Sequence, residues 1–184
     1  MLGQSRGASL AWAESPMLRF LFPRLTAAPE RGDKLFAAAV AEARAPHWYV
    51  EGAVPDTLDG RFAMLATIAA LIIVRLDRAG HTAASVALTE RFVEAMKAEH
   101  RELGLGDPKL GRTVLELIGA LERRVGLWRD TVGGGDWSAA VATSVYRNAA
   151  IDTAALEHTA RALRELWSGI EAVAPTELSE GRLA

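Results

Sequence analysis

Apolar residues recur at helical spacing along nearly the whole chain, while alternation of period two, the mark of strands, is almost absent. From Pro108 to about Asp130 the residues Leu110, Val114, Leu117, Ile118, Leu121, Val125 and Trp128 form one stripe of period 3.6. Asp33 to Ala45 predicts a first helix of strong helix formers, and Pro46 to Gly52 then breaks away as an extended loop. Asp56 is the expected N-cap of the next helix, Thr57 to about Arg78, with Asp59 adding negative charge at its positive end. That helix is greasy on every side. Phe62, Leu65, Ile72 and Leu76 lie on one face, and Met64, Ile68, Leu71 and Val74 on another. An element with so little polar surface must be surrounded by others, so it is expected at the centre.

Gly80 closes the central helix. The next, about Thr82 to Leu103, is expected to turn Val86, Phe92, Val93 and Met96 inward and to end at Gly104. Asp107 and Pro108 supply a cap and a first helical residue, and the short connection makes the two helices antiparallel neighbours. After Gly133-Gly134-Gly135, Asp136 caps a short helix ending near Asn148, and Asp152 caps the last one. The pattern therefore predicts an all-α, single-domain bundle of about six helices around the segment 57–78. A flexible tail is expected over 1–16, the helical domain over 17–175 and a polar tail over 176–184.

Composition narrows the chemistry. Half the 184 residues are apolar and 24% are charged, a globular balance. Lys plus Arg number 21 against 23 Asp plus Glu, which argues against a general nucleic-acid binder. The absence of cysteine removes disulfides, thiolate catalysis and Cys-ligated metal. The longest apolar run, Phe62 to Val74, would span about 20 Å as a helix, short of the roughly 30 Å of a bilayer core. With no secretory signal in the first sixteen residues, a cytoplasmic protein is expected. Met17 to Arg24 is the one segment with the texture of a membrane-surface contact, or of a strap on the bundle.

Enzyme signatures are missing. His47, His81, His100 and His158 form neither Glu-x-x-His nor His-Glu-x-x-His patterns, so no metal is expected. Nucleophile-elbow and phosphate-loop motifs are absent, and Gly104-Leu105-Gly106 lacks the third glycine of a dinucleotide loop. No catalytic residue and no cofactor are assigned. Two segments are unusual for a plain bundle. In Asp56-Thr57-Leu58-Asp59-Gly60-Arg61-Phe62, Gly60 costs about 1 kcal/mol relative to alanine inside a helix, which points to a close approach of another backbone. Arg61 needs a carboxylate or an opening to solvent. The second segment, Arg101 to Arg112, is rich in glycine and charge.

These segments resemble the ubiquinol–cytochrome c chaperone family. The resemblance runs from about Phe36 to Asn148. It is carried by Asp59-Gly60-Arg61-Phe62 with Met64, by Phe92, Met96 and Arg101-Glu102-Leu103-Gly104-Leu105-Gly106-Asp107, and by Gly111 and Tyr146-Arg147-Asn148. Lys97 after Met96, and Tyr146 ahead of Arg147-Asn148, depart from the family pattern. The resemblance implies a non-enzymatic assembly factor whose client is newly made cytochrome b or another respiratory-complex subunit, with peripheral contact at the inner membrane. A docking edge made of His47, Trp48, Tyr49, Asp59, Arg61, Arg101, Glu102 and Asp107 is expected, the two glycine-bearing junctions meeting on one surface. The competing readings are a generic helical adaptor whose two segments are only corners, and a small-molecule binder.

Overall fold

The computed structural model describes residues 30–102 and 107–183, with side chains from 32 to 98 and from 115 to 183. Contacts divide the chain into two units, Met1–Glu30 and Arg31–Ala184, and the fold is that of the second. In chain order its helices are α1 (Glu30–Ala43), α2 (Pro46–Tyr49), α3 (Leu58–Arg78), α4 (Thr82–Glu102), α5 (Asp107–Val132), α6 (Trp137–Ser144), α7 (Thr153–Ala172) and α8 (Pro175–Ser179). No strand occurs among the described residues. The all-α bundle expected from the sequence is the observed fold, with six longer helices and the short α2 and α8 among the described residues.

Helix α3 is the axis. From Gly60 to Leu76 every residue except Arg61, Phe62 and Arg75 is buried, and α4, α5 and α7 pack around it. Its one buried hydroxyl, Thr67, is satisfied by Ser144 on α6 at 2.6 Å, and Ser144 also accepts from the indole N–H of fully buried Trp128 at 3.1 Å. Three helices are thereby tied together at a buried polar point, where an unpaired group would be costly. The helix ends as its glycine predicts. Gly80 takes φ +73°, and the N–H of His81 reaches back to the Leu76 carbonyl at 2.9 Å. No helix among the described residues is long and apolar enough to cross a membrane.

Several local expectations need correction. Thr57, not Asp56, caps α3, its hydroxyl accepting from the Gly60 N–H at 3.2 Å, while Asp56 instead pairs with Arg61. The loop expected over 46–52 begins with a helical turn, because Pro46 pre-sets the first φ and Trp48 is anchored by its indole N–H on the Glu42 carbonyl at 2.9 Å. Val86 is 49% exposed, since the inward stripe of α4 is Ser85, Leu88 and Phe92, one residue out of register with it. The polar tail expected after Pro175 folds into α8, whose Leu178 is fully buried. Gly104, Leu110, Gly111 and Val114 lie outside the residues with described side chains.

Behind α2 the chain is pinned by a second buried network. The Tyr146 hydroxyl meets both the Gly52 carbonyl and the Thr159 hydroxyl, the latter at 2.7 Å. A carbonyl can only accept, so the phenol donates to Gly52 and accepts a hydrogen bond from the Thr159 hydroxyl. A side chain on Gly52 would lie 2.6 Å from that same Thr159 oxygen, which explains the bare residue.

Burial raises the pKa of Tyr146, partly offset by the Thr159 hydrogen bond; burial also raises that of Tyr49. These are the two tyrosines of the chain. The unfolded chain therefore loses phenolic protons before the folded one, so their stabilising contribution is complete below pH 10.0 and declines as pH rises through the folded values. Absorbance titration at 295 nm should show the tyrosines of the folded protein ionising above the ordinary value of 10.0. Ionisation of both at the ordinary value in the folded protein would contradict the burial of their hydroxyls.

Candidate protein-binding groove

The loop into α3 decides the shape of the surface above the core. Gly60 has no side chain because the Pro55 carbonyl oxygen rests where its Cβ would be. This folds the segment before α3 tightly over its first turn and leaves Leu58 (50% exposed), Asp59 and Arg61 facing outward. The close approach expected at Gly60 is thus made by the chain's own backbone.

Beside that turn lies a groove of about 530 Å³. Its floor is apolar: Phe36 and Val40 of α1, Leu58, Phe62 and Leu65 of α3, Met96 of α4 and Leu117 of α5. Arg44, Tyr49, Asp59, Arg61 and Arg147 stand around it. Phe62 packs on the buried Phe92 ring at 5.8 Å, so the floor continues into the core.

Two rim arginines are held by carboxylates. Arg61 Nε donates to Asp56 Oδ1 at 2.6 Å, which lowers the Asp56 pKa, and Arg147 reaches Asp59 Oδ2 at 3.1 Å. All four side chains are exposed, so the pairs orient the rim more than they stabilise the fold. Arg147 gets there through a strained turn. It and Asn148 take φ +53° and +58°; the arginine bears a steric cost of about 1–2 kcal/mol there, while asparagine tolerates this region better. The turn is held by the Asn148 N–H on the Ala142 carbonyl at 2.8 Å and by Thr143 donating to Asn148 Oδ1 at 3.2 Å. Strain of this kind collects where a side chain has to be aimed.

Behind Phe62 sits Arg124, its guanidinium 5.7 Å from the ring centroid and its Nη atoms on the carbonyls of Ala120 and Ser144. Burial, with Arg147 and Arg123 nearby, lowers its pKa, and its buried Nε has no hydrogen-bond partner among the described residues. Among the described residues, Arg124 thus places a guanidinium without a carboxylate partner behind the apolar floor.

Of the expected docking residues, the structure brings Tyr49, Asp59 and Arg61 together on the groove. Trp48 is a correction: it is 1% exposed and belongs to the core. His47 is half-buried outside the groove lining, its Nδ1 3.3 Å from His158 Nε2 and its ring 4.1 Å from that of Trp48. The side chains of Arg101, Glu102 and Asp107 lie outside the described residues, so their meeting with the Asp59–Phe62 junction stays an expectation. The sequence pattern does not mark Arg44, Phe36, Val40, Leu58 or Arg147 as docking residues, although all five line the groove. Arg147 had a usable signal in Tyr146-Arg147-Asn148; the others are ordinary helix residues until the chain folds. Among the described residues no group of three or more His, Asp or Glu could hold a metal.

An all-helical body carrying an apolar groove with a charged rim is suited to binding another polypeptide. The ubiquinol–cytochrome c chaperone family model matches residues 51–184. The chain belongs to that family. The fold is also that of the Cbp3 homolog from Brucella abortus, a crystal structure matched with a TM-score of 0.72 and 20% sequence identity over 90% of this chain and 93% of the other. No curated protein sequence matches it. The match begins at residue 51, leaving out residues 36–50 of the Phe36–Asn148 span that carried the resemblance, and extends past Asn148 to the C-terminal residue, taking in α7 and α8.

Proposed function

We propose that the protein is a non-enzymatic chaperone that holds newly made cytochrome b for the ubiquinol–cytochrome c reductase complex, with the groove as its contact surface. Family membership supplies a protein client in the assembly of that complex. The observation that carries the rest is the groove itself, an apolar floor open to solvent and edged by oriented charges. A membrane subunit awaiting assembly exposes apolar helix surface, and a floor of this kind covers it while the rim excludes water from the edge. Work of this sort takes place on the cytoplasmic face, at the periphery of the inner membrane.

The test is Leu58→Asp. Leu58 is groove-facing, half exposed and at the first position of α3, where an acidic residue suits the helix dipole. The variant should melt within about 2 °C of the parent, since surface changes seldom move stability by more than about 0.5 kcal/mol. It should nonetheless fail to restore the reductase complex in cells lacking the gene, and should recover less cytochrome b on affinity purification. Full restoration of the complex by Leu58→Asp would remove the groove from the mechanism. An unchanged level of the complex in the deletion strain would defeat the assignment and favour a generic adaptor.

A further inference from the structure

The rim of the groove has an unequal charge balance. Asp56 is taken up by Arg61 and Asp59 by Arg147. Arg44 is exposed, stands at the groove just past the end of α1, and makes no ion pair among the described residues. The backbone it springs from is held by Tyr49, beside it in the rim, whose hydroxyl donates to the carbonyl of Ala43 at 2.7 Å. Arg124 behind Phe62, likewise without a carboxylate among the described residues, adds to the positive field.

We propose that the occupant of the groove is an apolar helical segment of the client that carries one carboxylate, and that this carboxylate pairs with Arg44. The inference rests on the groove being the client site and adds what the site selects. A helix is the form that fits. The groove is walled by helices and the described residues offer no sheet edge, so an extended peptide would enter with its backbone N–H and C=O groups unpaired, whereas a helix satisfies its own. The carboxylate follows from charge complementarity: among the described rim residues the two acids, Asp56 and Asp59, are already paired, and one guanidinium is left without an ion pair. Such a group would otherwise oppose burial of an apolar helix, so Arg44 separates acid-bearing segments from plain apolar ones.

Three fluorescein-labelled peptides of one amphipathic Leu/Ala-rich helical sequence, differing only in a Glu, Gln or Lys at one position beside the apolar face, test this by anisotropy with the full chain. The parent should bind the Glu peptide about fivefold more tightly than the Gln peptide at about 0.05 M salt, the gap closing near 0.5 M as charges are screened. Arg44→Glu, a change at an exposed position, should reverse the order and favour the Lys peptide. Leu58→Asp should weaken all three. Equal affinity of the parent for the Glu, Gln and Lys peptides, with Leu58→Asp still disruptive, would overturn the carboxylate selection and leave the groove standing. Binding indifferent to Leu58→Asp, or none at all, would remove both. Arg44-dependent binding of phosphatidylglycerol vesicles without discrimination among the peptides would make the occupant a lipid surface and overturn the proposal.

Discussion

Alanine in place of Trp128 should produce the largest loss of stability of any single change considered. The indole of this α5 residue is fully buried, packs on Trp137 of α6 at 5.5 Å, and donates to Ser144, which in turn meets Thr67 of α3. Removing it leaves a cavity and takes one partner from a buried hydroxyl pair, a combination that costs about 4 kcal/mol. For a domain of this size that is a fall in melting temperature of about 10 °C. Trp128→Phe keeps most of the volume and loses only the N–H, so about 1–2 kcal/mol is expected. Urea unfolding of the two variants measures the difference directly. Equal losses would mean that the hydrogen bond, not the packing, dominates at this point.

Gly60→Ala comes second, and its sign is the informative part. Helix propensity alone makes alanine better than glycine by about 1 kcal/mol. The Pro55 carbonyl oxygen occupies the position of the new methyl group, and a backbone atom cannot rotate away as a flexible side chain can. Either α3 loses its first turn or the preceding loop lifts, at a cost of about 2–3 kcal/mol typical of overpacking. The same movement displaces Leu58, Asp59 and Arg61 from the groove. The variant should therefore melt lower and also recover less client per folded molecule, measured by thermal denaturation together with affinity purification of the folded fraction. A variant more stable than the parent would show that the loop does not press on Gly60.

The sequence carried the helices because each is specified locally. A stripe of period 3.6, a capping residue and a terminal glycine act within a few residues of one another. Asp136 and Asp152 cap as expected, and Gly80 ends the central helix as expected. The local errors come where two residues compete for one task. Asp56 and Thr57 can both cap a helix, and the presence of Arg61 one turn away draws Asp56 out of that role. Val86 shows the same limit, since an apolar residue beside a stripe belongs to it or not according to how the neighbouring helix is rotated.

The candidate site was only half legible. Asp59 and Arg61 stood out as charges at the mouth of a greasy helix, and Gly60 as a glycine without a local reason. Trp48 was misplaced because an aromatic in a polar loop looks like a contact residue, and only the Glu42 carbonyl beneath it shows that it points inward. Arg44 and Phe36 gave no sign at all.

What the residues determined by themselves is the all-helical character of the chain, the identity of its central helix and the absence of a familiar catalytic motif, since periodicity, capping and motif spacing are short-range properties. The groove belongs to the tertiary structure alone. Five helices and the turn after α6 contribute to it, Arg147 meets Asp59 across 88 positions of sequence, and the one guanidinium left without an ion pair among the described rim residues is defined only once the other charges have found their partners. Side chains that far apart in sequence are brought together by the burial of α3, and burial is a property of the whole fold.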